Sequence, residues 1–310
     1  MNKDTCILVT GGTGFLGQHV VRELRSQGYT DIEAVGSNKY DLTLQHDVAE
    51  MFYRIAPEVV IHLAANVGGI GANQKHPGSF LYDNAIMGLN VMHMARNWSV
   101  KKFVQVGTVC SYPKHAEVPF KEDDIWNGYP EETNAPYGIA KKMLMTMAQA
   151  YRQEYGFNAI NLIPVNLYGP GDNFNPESSH VIPALIKKIY EASLSTGNVE
   201  IWGTGRASRE FLYVEDCARG IVKAMELYNG SEPVNLGTGS EITIGELVTM
   251  IAELLGAKNG ITFDTSKPDG QPRRCLDTTR AEKYFGFKAV TPLREGLKRT
   301  IKWYISQPSI

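Results

Sequence analysis

Cys6-Ile-Leu-Val-Thr10-Gly11-Gly-Thr-Gly14-Phe-Leu-Gly17 is a short apolar run that ends in spaced glycines. Such a run reads as a strand buried on both faces of a parallel sheet. Beyond it, Gln18-His-Val-Val-Arg-Glu-Leu-Arg25 carries apolar side chains at helical spacing. Strand, glycine turn and helix in that order make a phosphate cradle. The glycines let backbone approach a pyrophosphate, and the helix N-terminus offers free N–H groups and a positive dipole end. Gly11, Gly12, Thr13, Gly14, Phe15, Leu16 and Gly17 are therefore candidate dinucleotide-binding residues. Their spacing departs from the commoner G-x-G-x-x-G pattern but keeps its physical logic.

The alternation continues outward from this turn. Residues 33–36, 59–65, 102–107 and 159–164 read as further strands, separated by helical patterns near 47–55, 84–97 and 137–155. Parallel strands need crossover connections, so the expected fold is α/β with a doubly wound parallel sheet. Past Pro164 the composition shifts: 166–180 is rich in Asn, Gly, Pro and Ser, as in an ordered binding loop. His180 opens a helix to about residue 195, 210–215 is strand-like, and Asp216 starts another helix. Two more helical patterns lie near 244–255 and 292–305. The expected division is a nucleotide-binding domain over 1–166, with returns near 207–237. A smaller, interleaved C-terminal substrate domain takes 167–206 and 238–310.

The 310 residues are 43% apolar and 21% charged, the balance of an ordinary soluble globular protein. A net charge of -2 gives no global attraction to nucleic acid or anionic membrane, so any anionic ligand must be held by local positive charge. Cys6, Cys110, Cys217 and Cys275 are far apart and have no metal-ligand spacing. No charged-then-apolar leader pattern is present, and no apolar run approaches the roughly 18 residues of a membrane span. A reducing cytoplasm, with no metal, membrane or nucleic-acid partner, is the expectation.

An Asp or Glu after the second strand commonly binds the adenosine ribose and repels a 2′-phosphate. Here the stretch is Val35-Gly36-Ser37-Asn38-Lys39, without an acid. Ser37, Asn38 and Lys39 can donate to a phosphate, which favours NADP(H) over NAD; a solvated loop position for Lys39 is the alternative. Tyr137 and Lys141, at i and i+4, share one helix face. An ammonium beneath the phenol would lower the tyrosine pKa, and such a phenol can give or take a proton while a nicotinamide moves hydride. The hydroxyl of Thr108 can hold the same oxygen.

Together these residues resemble the extended short-chain dehydrogenase/reductase superfamily and, within it, the GDP-L-fucose synthase family. The resemblance covers nearly the whole chain. It is most specific at Ala64-Ala-Asn-Val-Gly-Gly-Ile70, Cys110-Ser-Tyr-Pro113, Asn134-Ala-Pro-Tyr137-Gly-Ile-Ala-Lys141, Asn166-Leu-Tyr-Gly-Pro170, Asp172-Asn-Phe174, Ser179-His180-Val-Ile-Pro-Ala184, Arg209-Glu-Phe-Leu212 and Ser266-Lys-Pro-Asp-Gly270. It implies a Rossmann-like fold and a reaction that epimerises two carbons of GDP-4-keto-6-deoxy-mannose, then reduces the ketone with NADPH. By matching motif, Tyr137 would protonate O4, Lys141 would hold tyrosine and nicotinamide ribose, and Cys110 and His180 would be the epimerising pair. Asp41, Leu42, Leu63, Ala64, Ala65, Val106, Gly107, Pro164, Asn166, Leu167 and His180 would complete the cofactor site. Lys188 (with Lys187 beside it) and Arg209 match basic positions for the sugar nucleotide, Trp202 offers a flat wall and Asp269 a hydroxyl acceptor. Thr108 stands where the family usually has serine, and Val109 where a small polar residue is common.

The chemistry supports the pairing of Cys110 with His180. Protons beside a ketone are acidified because the enolate places charge on O4, and epimerisation needs an acid and a base on opposite faces. The plainer alternatives are a buried hydrophobe for Cys110 and a helix cap for His180. A related epimerase that retains NAD, or a nucleotide sensor that has lost catalysis, would share the glycine turn. Met87, Leu89, Met92 and Met94, with Met143, Leu144, Met147 and Tyr151, lie on two helices whose equivalents in the superfamily commonly form a four-helix interface, so a homodimer is expected.

Overall fold

The computed structural model describes residues 1–195, 197–267 and 271–307. In the first half β1 (Ile7–Thr10) leads into α1 (Phe15–Ser26), β2 (Ile32–Val35), α2 (Gln45–Ile55), β3 (Val59–His62), α3 (Ile70–Lys75), α4 (Pro77–Asn97), β4 (Lys102–Val106), α5 (Ala135–Tyr155) and β5 (Ala159–Pro164). These strands pair in parallel in the order β2-β1-β3-β4-β5, and β9 (Val234–Leu236) adds a sixth beside β5. The expected doubly wound parallel sheet is thus the observed one. Strand order reverses between β1 and β3, and a crevice at the carboxyl ends of such a pair is where α/β sheets bind ligands.

The two faces of each strand feed different cores, because successive side chains point oppositely. Ile7 and Val9 of β1 pack with Val20 and Leu24 of α1 and with Ile221 and Met225 further along the chain. Leu8, between them, packs with Met51 and Phe52 of α2, Val91 of α4 and Leu144 of α5. Every β1 side chain is buried, as its continuous apolar run requires.

The second half contains β6 (Asn166–Tyr168), α6 (Val181–Ser193), β7 (Val199–Trp202), β8 (Ser208–Tyr213), α7 (Val214–Leu227), β9, β10 (Glu241–Thr243), α8 (Ile244–Leu255), β11 (Ile261–Asp264), α9 (Thr279–Phe285) and α10 (Leu293–Ser306). Two small sheets, β10-β8-β6 and β11-β7, support a third core formed by Ile186 of α6, Leu247 and Ile251 of α8 and Leu297 of α10. Helix α8 starts at a capping box, with Thr243 and Glu246 satisfying each other's backbone N–H groups. In the stretch 207–237, α7 packs on the β1 side and β9 joins the large sheet, whereas β8 pairs within the small one.

One extended strap runs between β8 of the small sheet and the segment at Phe120. The carbonyls of Pro272 and Arg274 accept from Ser208 and Glu210 of β8 at 2.9 and 3.0 Å, and Cys275 and Asp277 pair with Phe120 at 2.8 and 2.9 Å. Among the described residues no helix is long and apolar enough to cross a membrane.

Candidate active site

The glycine turn sits where the strand order reverses. Gly11 has φ +67°, a conformation that favours glycine, and an added Cβ would lie 2.8 Å from the Ala64 nitrogen beyond β3. At Gly17 a Cβ would come within 2.1 Å of the Gly11 carbonyl, so the turn closes on α1 only without a side chain. Gly14 caps α1 without a side-chain hydrogen bond, and the first turn contains no acid. Its N–H groups and dipole therefore face outward without internal competition, the requirement for a pyrophosphate. The residues present fit a dinucleotide on this observation.

A cavity of about 1090 Å³ extends from this turn. That exceeds the usual upper size of a single-ligand pocket, about 1,000 Å³, and suits a dinucleotide with a second nucleotide. It gathers Gly11, Thr13, Gly14, Phe15, Leu16 and Gly17 at one end, with Ser37, Asp41 and Leu42 beside them. Leu63, Ala64, Ala65, Val106, Gly107, Pro164, Asn166 and Leu167 form its middle walls. Gly12, Asn38 and Lys39 do not line it. Gly12 packs against β2, where a Cβ would meet Ala34, and the Lys39 ammonium lies 5.5 Å from the Tyr40 ring centroid.

Thr108, Cys110, Tyr137, Lys141 and His180 all reach this one cavity. Thr108 follows β4 by two residues and caps a short turn over Val109–Ser111, its hydroxyl accepting from the Cys110 N–H at 3.2 Å. Gly138, next to Tyr137, lets α5 press on that turn: a Cβ there would sit 2.3 Å from the Cys110 carbonyl. Ser111 locks the contact by donating to the Gly138 carbonyl at 3.0 Å. Thiol, hydroxyl and phenol are thus fixed to one another by backbone packing.

The electrostatics of Tyr137 differ from the sequence expectation. Burial raises its pKa well above the ordinary phenol value, the nearby Cys110 adds to the rise, and a hydrogen bond with Thr108 opposes it. Lys141 is 2% exposed, and burial brings its pKa down to about 8. Its ammonium donates to the Val106 carbonyl at 3.1 Å. The i, i+4 spacing does bring both side chains to one cavity, but desolvation is the largest influence on the phenol and acts opposite to the expected direction.

His180 stands at the N-cap position of α6 with extended backbone and no side-chain cap bond, so it is not the capping group of that helix. Solvent in the cleft reaches it, yet protein surrounds it closely enough that burial lowers its pKa. The loop before it is held by the Gly69 N–H, which donates to the Ser178 carbonyl at 3.1 Å.

At the far end lie Lys187, Lys188, Trp202 and Arg209. Trp202 is 65% exposed, so it is a wall rather than core. Lys188 donates to the Glu200 carbonyl at 2.5 Å, and Arg209 to the Ser208 carbonyl at 2.7 Å. Asp269 lies outside the described residues. Among the described residues no group of three His, Cys, Asp or Glu side chains is gathered to hold a metal ion.

Sequence reasoning missed several residues of this cavity. Arg274 is 7% exposed and points its guanidinium at the Cys110 sulfur, 3.7 Å away. Gln271 accepts from the Arg274 Nε at 3.1 Å and donates to the Lys114 carbonyl at 2.9 Å. Asn73 donates to the carbonyls of Gly68 and Gly69 at 2.9 and 3.1 Å. The motif 64–70 pointed towards Asn73; nothing local pointed to Arg274.

Residues 7–237 match the family model described as the NAD dependent epimerase/dehydratase family. GDP-L-fucose synthase 1 of Arabidopsis thaliana is 41% identical, covering 98% of this chain and 94% of the relative. A solved GDP-6-OMe-4-keto-L-xylo-heptose reductase from C. jejuni superposes with TM-score 0.95 at 28% identity, covering 99% of each chain. A GDP-L-fucose synthetase from Naegleria fowleri bound to NADP superposes with TM-score 0.90 at 31% identity, over 98% of this chain and 95% of that one. Similarity of sequence over the full length, the shared fold and the Tyr137–Lys141 pair in the cleft agree: this chain belongs to the NAD dependent epimerase/dehydratase family, in the branch of the GDP-L-fucose synthases.

Proposed function

We propose that this chain carries out the NADPH-dependent 3,5-epimerisation and 4-keto reduction of a GDP-4-keto-6-deoxy-sugar, giving GDP-L-fucose. The observation that carries this reading is one cavity with a glycine cradle at one end and Lys188 and Arg209 at the other. A phenol, a hydroxyl, a thiol and an imidazole line the same cavity. The Arabidopsis relative and the NADP-bound Naegleria structure support it by name.

The reduced cofactor, when bound, supplies the hydride that C4 receives. Tyr137, its pKa raised by burial, keeps its proton at neutral pH, which is the form that can protonate O4. Before that, its hydroxyl and that of Thr108 hold the charge that O4 gains when C3 or C5 loses a proton. Burial keeps His180 a neutral imidazole near neutral pH, and it shares the two proton transfers at carbon with the Cys110 thiol. Lys141, Leu63–Ala65 and Pro164–Leu167 line the nicotinamide end of the cleft, and Ser37, Asp41 and Leu42 the adenosine end. Lys188 and Arg209 meet the diphosphate, and Trp202 covers the sugar nucleotide.

The same reading assigns 1–166 and the return near 207–237 to the cofactor, and 167–206 with 238–310 to the substrate. It makes the protein a homodimer through α4 and α5; of the residues expected there Met92 and Leu144 are buried in the protomer's own core, and the exposed Leu81, Tyr82, Met143 and Tyr155 would carry the contact. A cytoplasmic location suits the four unpaired cysteines.

The test is NADPH absorbance with GDP-4-keto-6-deoxy-mannose, run in parallel in deuterated water. NADPH loss with deuterium at C3 and C5 is the expected result. Deuterium uptake without NADPH loss would make the protein an epimerase alone, and reduction without exchange would leave Cys110 structural. A Cys110→Ser variant should lose exchange while still binding NADPH.

A further inference from the structure

We propose that Arg274 is the positioning residue for Cys110, its guanidinium serving as counter-ion to the sulfur whenever the thiol has given up its proton. This rests on the reading of Cys110 as one of the two groups that move protons at carbon. In either direction of that step the sulfur is anionic on one side: the S–H bond breaks as a C–H bond forms, or the reverse. A thiolate in a largely apolar cleft is costly without compensation.

Arg274 is built for the task. It approaches from the strap 271–277, far from Cys110 in sequence, and places Nη1 3.7 Å from the sulfur. Gln271 fixes the other edge of the guanidinium at Nε and is itself tied to the Lys114 carbonyl. The backbone beneath is paired on both sides, with β8 through Pro272 and Arg274 and with Phe120 through Cys275 and Asp277. A buried cation on a doubly anchored strap has little freedom, and beside Gln271 of its own strap it donates to the Cys110 sulfur in the cleft. On the opposite side, Gly138 holds the Cys110 carbonyl against α5. The sulfur is thus placed between two rigid elements.

Two variants separate charge from shape: Arg274→Gln removes the charge, and Arg274→Lys keeps it. Equal NADPH affinity and melting temperature in all three proteins establish that each is folded. The first readout is alkylation of Cys110 by iodoacetamide, followed by peptide mass spectrometry with Cys110→Ala as blank. The second is deuterium entry at C3 and C5 against NADPH consumption. In Arg274→Gln, alkylation and deuterium entry should each fall about tenfold or more, the loss of a charge-assisted hydrogen bond. NADPH consumption with a ketone that needs no epimerisation should be preserved, and Arg274→Lys should recover most of both losses. Unchanged alkylation in Arg274→Gln overturns the proposal. So does a raised KM with normal exchange at saturation, which would make Arg274 a substrate-binding group. If alkylation falls as expected but the wild-type protein shows no exchange, the pairing of Arg274 with Cys110 stands and the reading of the reaction fails.

Discussion

Asp172→Asn should stabilise the protein at pH 8 far more than at pH 5. Asp172 lies in the loop 169–180 that leads to His180, and the loop is anchored to α1 through His19 and the Pro170 carbonyl at 2.9 Å. It is 7% exposed; one carboxylate oxygen accepts from the Asn173 N–H at 2.7 Å, and the other has no partner among the described residues. Burial raises its pKa from 3.8 to about 7. Between those values the folded protein holds a proton that the unfolded chain has lost, so stability falls as pH rises through the window. With 1.36 kcal/mol per unit, the ionisable side chain costs about 2 kcal/mol at pH 5 and about 4 kcal/mol at pH 8. Asparagine cannot ionise, and whatever its amide costs in that position is the same at both pH values. The stabilisation should therefore be about 2–3 kcal/mol greater at pH 8, roughly 4 °C in melting temperature for a chain of this size. Other titrating groups are shared by the two proteins and cancel. Thermal melts of both at pH 5 and pH 8, at matched ionic strength, give the number. Equal shifts at the two pH values, or a larger one at pH 5, would refute a buried carboxyl with a raised pKa.

Tyr137→Phe should lower NADPH-dependent reduction by about 10²-fold or more, the usual loss of a positioned proton donor, while NADPH titration shows affinity unchanged. Gly17→Ala places a Cβ 2.1 Å from the Gly11 carbonyl, so the cradle must open; calorimetry should find NADPH binding lost. Glu210→Gln replaces by an NH2 donor one of the two carboxylate oxygens that accept from the N–H groups of Gly239 at 2.8 Å and Leu276 at 2.6 Å; urea titration should show a loss of about 2–4 kcal/mol.

The large sheet was legible because its first five strands are short, mostly apolar runs separated from one another by helical spacing. Their parallel pairing follows from the crossover helices between them. Strands β6, β9 and β10 were not legible: each has three residues, too few to show a period, and each is defined by distant partners. The short helices α3 and α9 escaped for the same reason. The expected return near 207–237 treats as one segment a stretch in which only α7 and β9 join the large layer, while β8 pairs with β6 and β10. Composition marks where a chain changes character, but the partner of a strand is set by contacts across the fold.

The site divides along the same line. Motif spacing brought Thr108, Cys110, Tyr137, Lys141 and His180 to one cavity because four of the five are local to the ends of β4 and the start of α5. Arg274 reaches that group only through a strap 164 residues away, and no local pattern announces it. The tyrosine is the more instructive case. Spacing correctly placed Lys141 on the face of Tyr137, and the sign of the pKa shift was then inferred from charge alone. Charge acts over a few ångströms in any medium, but the cost of ionising a phenol depends on how much water surrounds it. A sequence states which groups are neighbours; only the packed cleft states the dielectric between them. Here burial reverses the expectation, and the reversal suits the proposed role, since a phenol that keeps its proton is one able to hand it to O4.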